Sequence, residues 1–547
     1  MSEPKVQGCG KRFGTNDTTS NGTQVASFPI PAYQPTQLPT ALVKTSTALQ
    51  GQSPAATLAS WGGPESGDLR PWLASARDLA TRQRRQLIAW QEELDWQIYE
   101  AFGLVEGAAE SGPAAVSLPE GAAVDAIPPE GIELGQRAFE IVLARRMAAG
   151  EAQSTWFERH GSTPITEVPR HWPAPYRELV ERRIARIAED PAIRLIEQPE
   201  YKRRWNTEPW DEQFTQAARD WLLARLETYF FESERMTAEA EENETGRQGD
   251  GEKSSAPSVL RQSWAAGQEP KIFTLAQIAA VAETDAALKA VMQEYTGTPA
   301  FDLTRQIADL LNEGSVPYLP VLRYKEPGLR KRRAWEETWQ LQRREDAIEA
   351  EVMANLESEA RKIAIDLAEQ AQKVEDSGEV DPESKMETAR GIAERLLREE
   401  VKERQAKEVG PIPVPPKYSS ADFKKPGWWK LRGKLDVPKE RWVSYPGLET
   451  QASPSPLYAW AGWDHLQQAK ALSALYVQRK DQDGWDAQQL TPILGGLQEL
   501  IPWLQQWHND VDPEYQTRLG DHFADFVEEE RRTLGLTAED IEKARLG

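Results

Sequence analysis

The chain has 547 residues, 39% hydrophobic and 28% charged, long enough for several domains and balanced like a globular protein with some linker. A formal net charge of −22 and a pI near 5.0 exclude indiscriminate coating of DNA, because the overall field repels phosphate; any nucleic-acid contact has to be local. No run of about eighteen apolar residues offers a membrane span. The opening MSEPKVQGCGKRFG has no apolar secretory core, and the single Cys9 excludes an intrachain disulfide and a thiolate metal cage, which fits a cytoplasmic protein.

Residues 1–68 are rich in Thr, Ser, Gly and Pro and read as an extended lead-in, with a residual strand at 24–30. Residues 69–237 read as a helical domain. Its first helix, 69–102, carries an apolar stripe of Leu73, Ala76, Ala80, Leu87, Leu94 and Ile98, and Gly103 is placed to end it. A loop at 106–131 follows, then helices at 135–149, 176–188 and 211–234. The polar stretch 238–257, AEAEENETGRQGDGEKSSAP, cannot bury enough apolar surface to order itself and reads as a disordered linker.

Beyond it, 258–410 reads as a second helical domain, with helices at 274–295 and 301–312. The stretch 335–407, dense in Glu, Arg, Ala and Leu and broken at 376–382, reads as a long charged helical hairpin. Its charges read as a solvated surface with i,i+4 pairs. Residues 411–547 combine a basic, aromatic segment with a helical C-terminal domain from 457 onward. The expected fold is mostly α and multi-helical, with few strands and no internal repeat.

Two stretches carry candidate binding chemistry. The first holds Arg323, Lys325, Arg330, Lys331, Arg332 and Arg333, with Arg343 and Arg344 further along the same helical pattern. Pro327–Gly328 is read as a turn that delivers the RKRR run to a helix start, where guanidinium forks grip phosphate oxygens bidentately. The same run also reads as a counter-charge to the acidic hairpin. The second stretch, 415–446, packs Trp428, Trp429 and Trp442 among Lys424, Lys425, Lys430, Arg432, Lys434, Lys439 and Arg441. Pro426–Gly427 would set the paired tryptophans at a turn, as a backbone clamp with aromatic stacking, as a docking surface, or as a loop pinned by buried indoles. YKRRW at 201–205 has a similar character, and packing is the preferred reading there.

Most of the twenty Trp residues read as packing anchors. The five histidines form no catalytic or metal set; His465 and His508, each beside an Asp, read as capping or core hydrogen-bonding residues.

Several long segments, in one order, resemble the BREX type 2 / phage-growth-limitation (PglX-type) adenine-specific DNA methyltransferases. They are LIAWQEELDWQIYEAFGL from Leu87, ELGQRAFEIVLARRMAAGE from Glu133, WFERHGSTPITEVPRHWP from Trp156 and PEYKRRWNTEPWDEQ from Pro199. Further on come GLRKRRAWEETWQLQRRED from Gly328, the 415–446 segment, YAWAGWDHLQQAKAL from Tyr458 and DGWDAQQLTPILGGLQELIPWLQQWH from Asp483. The opening 12–31 is similar to the close of the family's catalytic and target-recognition region, so the chain is expected to correspond to the non-catalytic C-terminal portion.

The resemblance implies, for the complete enzyme, transfer of a methyl group from S-adenosylmethionine to adenine N6. This chain lacks what that chemistry needs. No Gly-rich cofactor turn is evident, and the two Pro-Pro pairs, at 128–129 and 415–416, follow Ile127 and Val414 rather than Asn or Asp. No cofactor is therefore expected in this chain alone. Double-stranded DNA is the expected partner, with a methyltransferase half supplied in trans and other BREX/Pgl defence subunits beside it. An acidic helical interaction scaffold and a truncated gene remnant are the rival expectations.

Overall fold

The computed structural model describes residue 31 and residues 34–106, 114–205, 207–231, 270–372, 382–431, 439–512 and 516–547. The strand expected at 24–30, the linker at 238–257, most of the hairpin break at 376–382, and Arg432 lie outside them. The described chain is mostly α-helical with one small sheet, as expected, and forms two compact units, Met1–Ala218 and Arg219–Gly547.

The first unit corrects the extended lead-in. Residues Gln37–Gln50 (α1) and Pro54–Ser60 (α2) are helical. Ser53 caps α2 by accepting from the Ala56 N–H, and Pro54 sits at the first helical position, where its missing N–H costs nothing. Leu38 of α1 is fully buried. The sequence hid these helices because their apolar residues are few and their Thr and Ser residues look loop-like.

Helix α3, Leu69–Ala101, begins at a capping Asp68 and ends as expected: Gly103 takes φ 69°, and the N–H groups of Gly103 and Leu104 close the last turn onto Glu100 and Tyr99. Its first half buries the anticipated Leu73, Ala76, Ala80 and Leu87. Its second half does not follow the stripe. Ile98 is exposed, whereas Glu92, Glu93, Trp96 and Gln97 are buried. Helices α4 (Ala138–Ala148), α5 (Ala174–Glu189) and α6 (Pro191–Ile196) follow, and α5 and the segment just after α6 supply the charged partners. Arg183 of α5 makes two 2.7 Å bonds to the Glu93 carboxylate, which also accepts from Tyr176 at 2.7 Å. Lys202 bridges Asp95 and Glu197, both at 2.7 Å. Arg137 and Trp156 hold the buried Glu140. The apolar side chains of Ile141, Phe139, Leu179 and Ile193 enclose this network.

Helix α7, Trp210–Phe231, carries the division between the units, which falls after Ala218. In the second unit the helix expected at 274–295 is two, α8 (Leu275–Thr284) and α9 (Ala286–Thr296). Asp285 breaks it because its carboxylate does better outside a helix: it caps the Leu288 N–H at 2.9 Å and accepts from Arg225 and Tyr229 at 2.7 Å. Helix α10, Leu303–Gly314, ends at Gly314, where an added Cβ would stand 2.7 Å from the Trp442 ring.

A four-stranded sheet lies behind these helices: β1 (Phe273–Thr274), β2 (Ser315–Pro317), β3 (Trp442–Ser444) and β4 (Leu457–Trp460), in the order β1-β4-β3-β2. β3 pairs antiparallel with β4, Trp442 opposite Trp460, and parallel with β2, Ser315 opposite Trp442. The neighbouring β3 and β4 thus meet two strands from much earlier in the chain, β1 and β2.

A one-turn helix α11 (Pro320–Arg323) leads to the charged helices α12 (Glu326–Met353), α13 (Leu356–Gln372) and α14 (Pro382–Glu408). α14 packs against both predecessors over Ile348, Val352, Leu397 and Val401, so the expected hairpin carries an extra break at Ala354–Asn355. Its surface pairs, such as Arg404 with Glu408 at 2.8 Å, are the solvated kind anticipated. After the short α15 (Pro426–Lys430), the chain closes with α16 (His465–Val477), α17 (Ala487–Trp507), α18 (Leu519–Thr533) and α19 (Ala538–Leu546), packed over Leu472, Leu490, Leu494, Leu497 and Phe523. No helix among the described residues is long and apolar enough to cross a membrane.

Candidate nucleic-acid interface

The two basic stretches, about a hundred positions apart, form one site. The Lys325 N–H donates to the Asp422 carbonyl at 2.8 Å and the Lys424 N–H to the Arg323 carbonyl at 2.9 Å, joining residues 323–325 to 422–424 as a short antiparallel bridge. Tyr324, Tyr418 and Phe423 pack into an aromatic cluster beneath it, with Leu329 and Leu546 buried beside them and Trp335, Trp428 and Trp429 around it. The Trp335 indole donates to the Pro416 carbonyl at 3.0 Å.

Both expected Pro-Gly turns are helix starts instead. Pro327 and Pro426 occupy the first turns of α12 and α15. Proline suits that position because its fixed φ is already helical. Gly328 has a packing role, since a Cβ there would stand 2.5 Å from the Asp422 carbonyl oxygen.

The candidate cations divide sharply. Lys331 is bound to Asp422 at 2.7 Å. Burial pushes the Asp422 carboxyl up, but the bonds from Lys331 and from the Ser419 N–H and hydroxyl outweigh it and leave the group below its ordinary value. Arg332 is clamped by Glu499 and by Glu336, the latter at 3.0 Å. Burial lowers its pKa, yet these two carboxylates raise it beyond the ordinary value. Arg333 donates to the Gly547 backbone oxygen at 3.0 Å, and Arg344 is paired with Glu408. Arg343 lies over the Trp503 ring, 4.9 Å from its centre, and donates to Gln506.

Arg330, Lys325, Lys424 and Lys430 are exposed, and their side chains have no ion-pair or hydrogen-bond partner among the described residues. Lys425 is exposed with its ammonium 5.2 Å from the centre of the Trp428 ring, a cation–π contact. Trp428 and Trp429 are both half-buried, and Trp429 packs 5.9 Å from Phe423. In YKRRW, Lys202 is buried in the ion network and Trp205 packs against the first unit's core, while Tyr201 is 67% exposed.

Sequence reasoning missed the joining of the two stretches. Only the shared pattern of an aromatic residue beside a cation, Tyr324–Lys325 and Phe423–Lys424, hinted at it. His465 stacks on Trp503, and burial, then the neighbouring His508, hold its pKa below the ordinary value. Among the described residues no group of three or more His, Cys, Asp or Glu is arranged to hold a metal.

The strand-to-helix junctions do not fit S-adenosylmethionine. β1 runs straight into α8 under a Thr274 cap, with no loop between them. At β4 to α16 the one glycine, Gly462, lies against the Trp460 indole and is not part of a Gly-rich turn.

The chain belongs to the protein family described as a domain of unknown function, DUF7008, which matches residues 87–249 and 257–546. Over 95% of its length it is 38% identical to adenine-specific methyltransferase PglX of Streptomyces coelicolor (strain ATCC BAA-471 / A3(2) / M145), so the resemblance read from the long motifs holds. The chain spans about a third of that relative, 34% of its length. No solved structure matches.

Proposed function

We propose that this chain contributes DNA recognition and complex assembly to an adenine-specific DNA methyltransferase of the BREX/phage-growth-limitation type, and does not itself carry out methyl transfer. The observation that supports it is the exposed set Arg330, Lys424, Lys425 and Lys430 gathered around one aromatic cluster on an otherwise acidic chain. Cations held by a rigid frame meet backbone phosphates in a fixed register, while half-exposed indoles offer faces for stacking. Lys331, Arg332 and Arg333 hold the frame. S-adenosylmethionine and the loop that accepts the adenine amino group belong, on this reading, to the catalytic part of the enzyme; the partners are double-stranded DNA and further defence subunits, in the cytoplasm.

The test is a fluorescence-anisotropy titration of labelled duplex at two salt concentrations, with the chain alone and with its catalytic counterpart. Phosphate contacts make log K fall steeply with log salt, by roughly 0.9 per contact. Duplex binding that ignores salt, or its absence in both states, overturns the reading.

A second reading has an observation of its own. Lys331, Arg332 and Arg344 are all bound to carboxylates, and the chain carries a net charge of −22. An acidic scaffold that docks other subunits would use its basic residues in this internal way. It predicts co-elution with a partner subunit and no duplex binding.

A further inference from the structure

Between α12 and α17 the second unit has a cleft of about 690 Å³, within the size range of small-ligand sites. Trp339 and Trp503 line it as a perpendicular pair, ring centres 5.3 Å apart at 72°. Three arginines line it too. Two are matched: Arg545 holds Glu336 at 2.7 and 2.9 Å, and Arg332 is clamped by Glu336 and Glu499.

The third, Arg343, has no carboxylate partner among the described residues. Its Nε donates to the Gln506 amide oxygen at 3.0 Å, and its Nη2 is buried without a hydrogen-bond partner among the described residues. Beyond the Nε bond no acceptor for this guanidinium is present among the described residues, and an anion in the cleft would supply one on its accessible side. Asp346, also on the cleft, accepts a hydrogen bond from Gln342. Gln340, Gln498, Gln505 and Gln506 line it with primary amides, and Glu542, also on the lining, is held by Arg545 at 2.8 Å. An amide presents a donor and an acceptor side by side, the complement of a nucleobase edge.

We propose that this cleft binds one nucleotide unit, its base against the Trp339 indole and its phosphate on Arg343. Trp503 carries His465 and Arg343, so the Trp339 ring backs the base, the amides choose among edges, and the guanidinium supplies the anchor. The unit has two possible sources, a free nucleotide or a nucleotide displaced from a single strand. The site is separate from the exposed lysines of the proposed duplex interface, and either reading stands without the other.

The experiment titrates the full chain with AMP, CMP and inorganic phosphate by isothermal calorimetry, and with a short labelled single strand by anisotropy. AMP or CMP should bind more tightly than inorganic phosphate, and Arg343→Gln should weaken that binding by about tenfold or more, the loss expected of one charge-assisted hydrogen bond. A strand that binds with the same Arg343 dependence, where free nucleotides do not, assigns the strand as source. Inorganic phosphate binding as well as AMP does overturns the proposal, as does failure of every nucleotide and strand to bind, or an Arg343→Gln protein that binds like the parent.

A thermal scan checks that Arg343→Gln is folded. Should it not be, Gln340→Ala, at an exposed position, decides: a lowered affinity for nucleotide with phosphate affinity unchanged supports the site, and an unchanged nucleotide affinity overturns it. Free-nucleotide binding and duplex salt dependence are separate readouts, so failure of one proposal is visible apart from the other.

Discussion

The two units use the same residue types to opposite ends. In the first, Glu93 with Arg183, Glu197 with Lys202, and Glu140 with Arg137 are buried as paired charges. In the second, Arg330, Lys424 and Lys430 stand in solvent beside half-exposed tryptophans. A charge sealed inside a core holds one arrangement of helices, because leaving any member unpaired is expensive. A charge at the surface contributes little to stability and is available to a partner. Location, not composition, separates structure from binding here.

Removing a partner from the sealed set should have the largest effect. Glu93→Gln leaves the buried Arg183 uncompensated and is expected to destabilise the first unit by about 3–5 kcal/mol, read as a lowered denaturant midpoint by circular dichroism. A midpoint within experimental error of the parent's would mean that the network is not sealed.

The frame under the surface set comes next. Gly328→Ala forces the α12 start away from the Asp422 carbonyl and should cost about 1–3 kcal/mol, like other overpacked sites. It should also weaken duplex binding, because the two cation groups lose their register. Stability lost with binding retained would show that the bridge does not position the lysines.

Acid probes the same joint. The folded Asp422 pKa lies below its ordinary value of 3.8, so its contribution is present above that value and is lost as the pH falls through the folded pKa. Asp422→Asn should therefore remove part of the acid dependence of unfolding below about pH 4. An acid limb identical in parent and variant would count against the Lys331–Asp422 bond.

The smallest stability effect belongs to the surface itself. Arg330→Gln with Lys424→Gln is expected to shift stability by less than about 0.5 kcal/mol. The same change should flatten the salt slope of duplex binding by up to about 0.9 for each phosphate contact removed. An unchanged slope would move the DNA contact elsewhere.

Much of the helical pattern is legible in the sequence, and the reasons are local. Leu69–Ala101 is announced by its apolar spacing and by Gly103, and the mostly α class follows from such stretches. Asp285 is also a local signal, a capping residue before Ala-Ala-Leu, but the apolar run on either side conceals the break. The buried carboxylates of α3 were not legible. Glu92 and Glu93 look like solvent residues until Arg183 and Lys202, some ninety and more positions later, arrive to pair with them. The same holds for the candidate interface. Its cations were visible as a list, but which are free depends on Asp422, Glu499 and Glu408, none of which neighbours its partner in sequence.

The bridge between 323–325 and 422–424 has one more consequence. The chain leaves this point along α12 and returns to it after α14, so the whole charged hairpin is an out-and-back excursion whose two ends are tied together at its base. A change of length in the far part of α13 and α14 is therefore expected to leave the register of β2 against β3 unchanged. That makes the hairpin an arm whose reach is adjustable while its anchorage stays fixed.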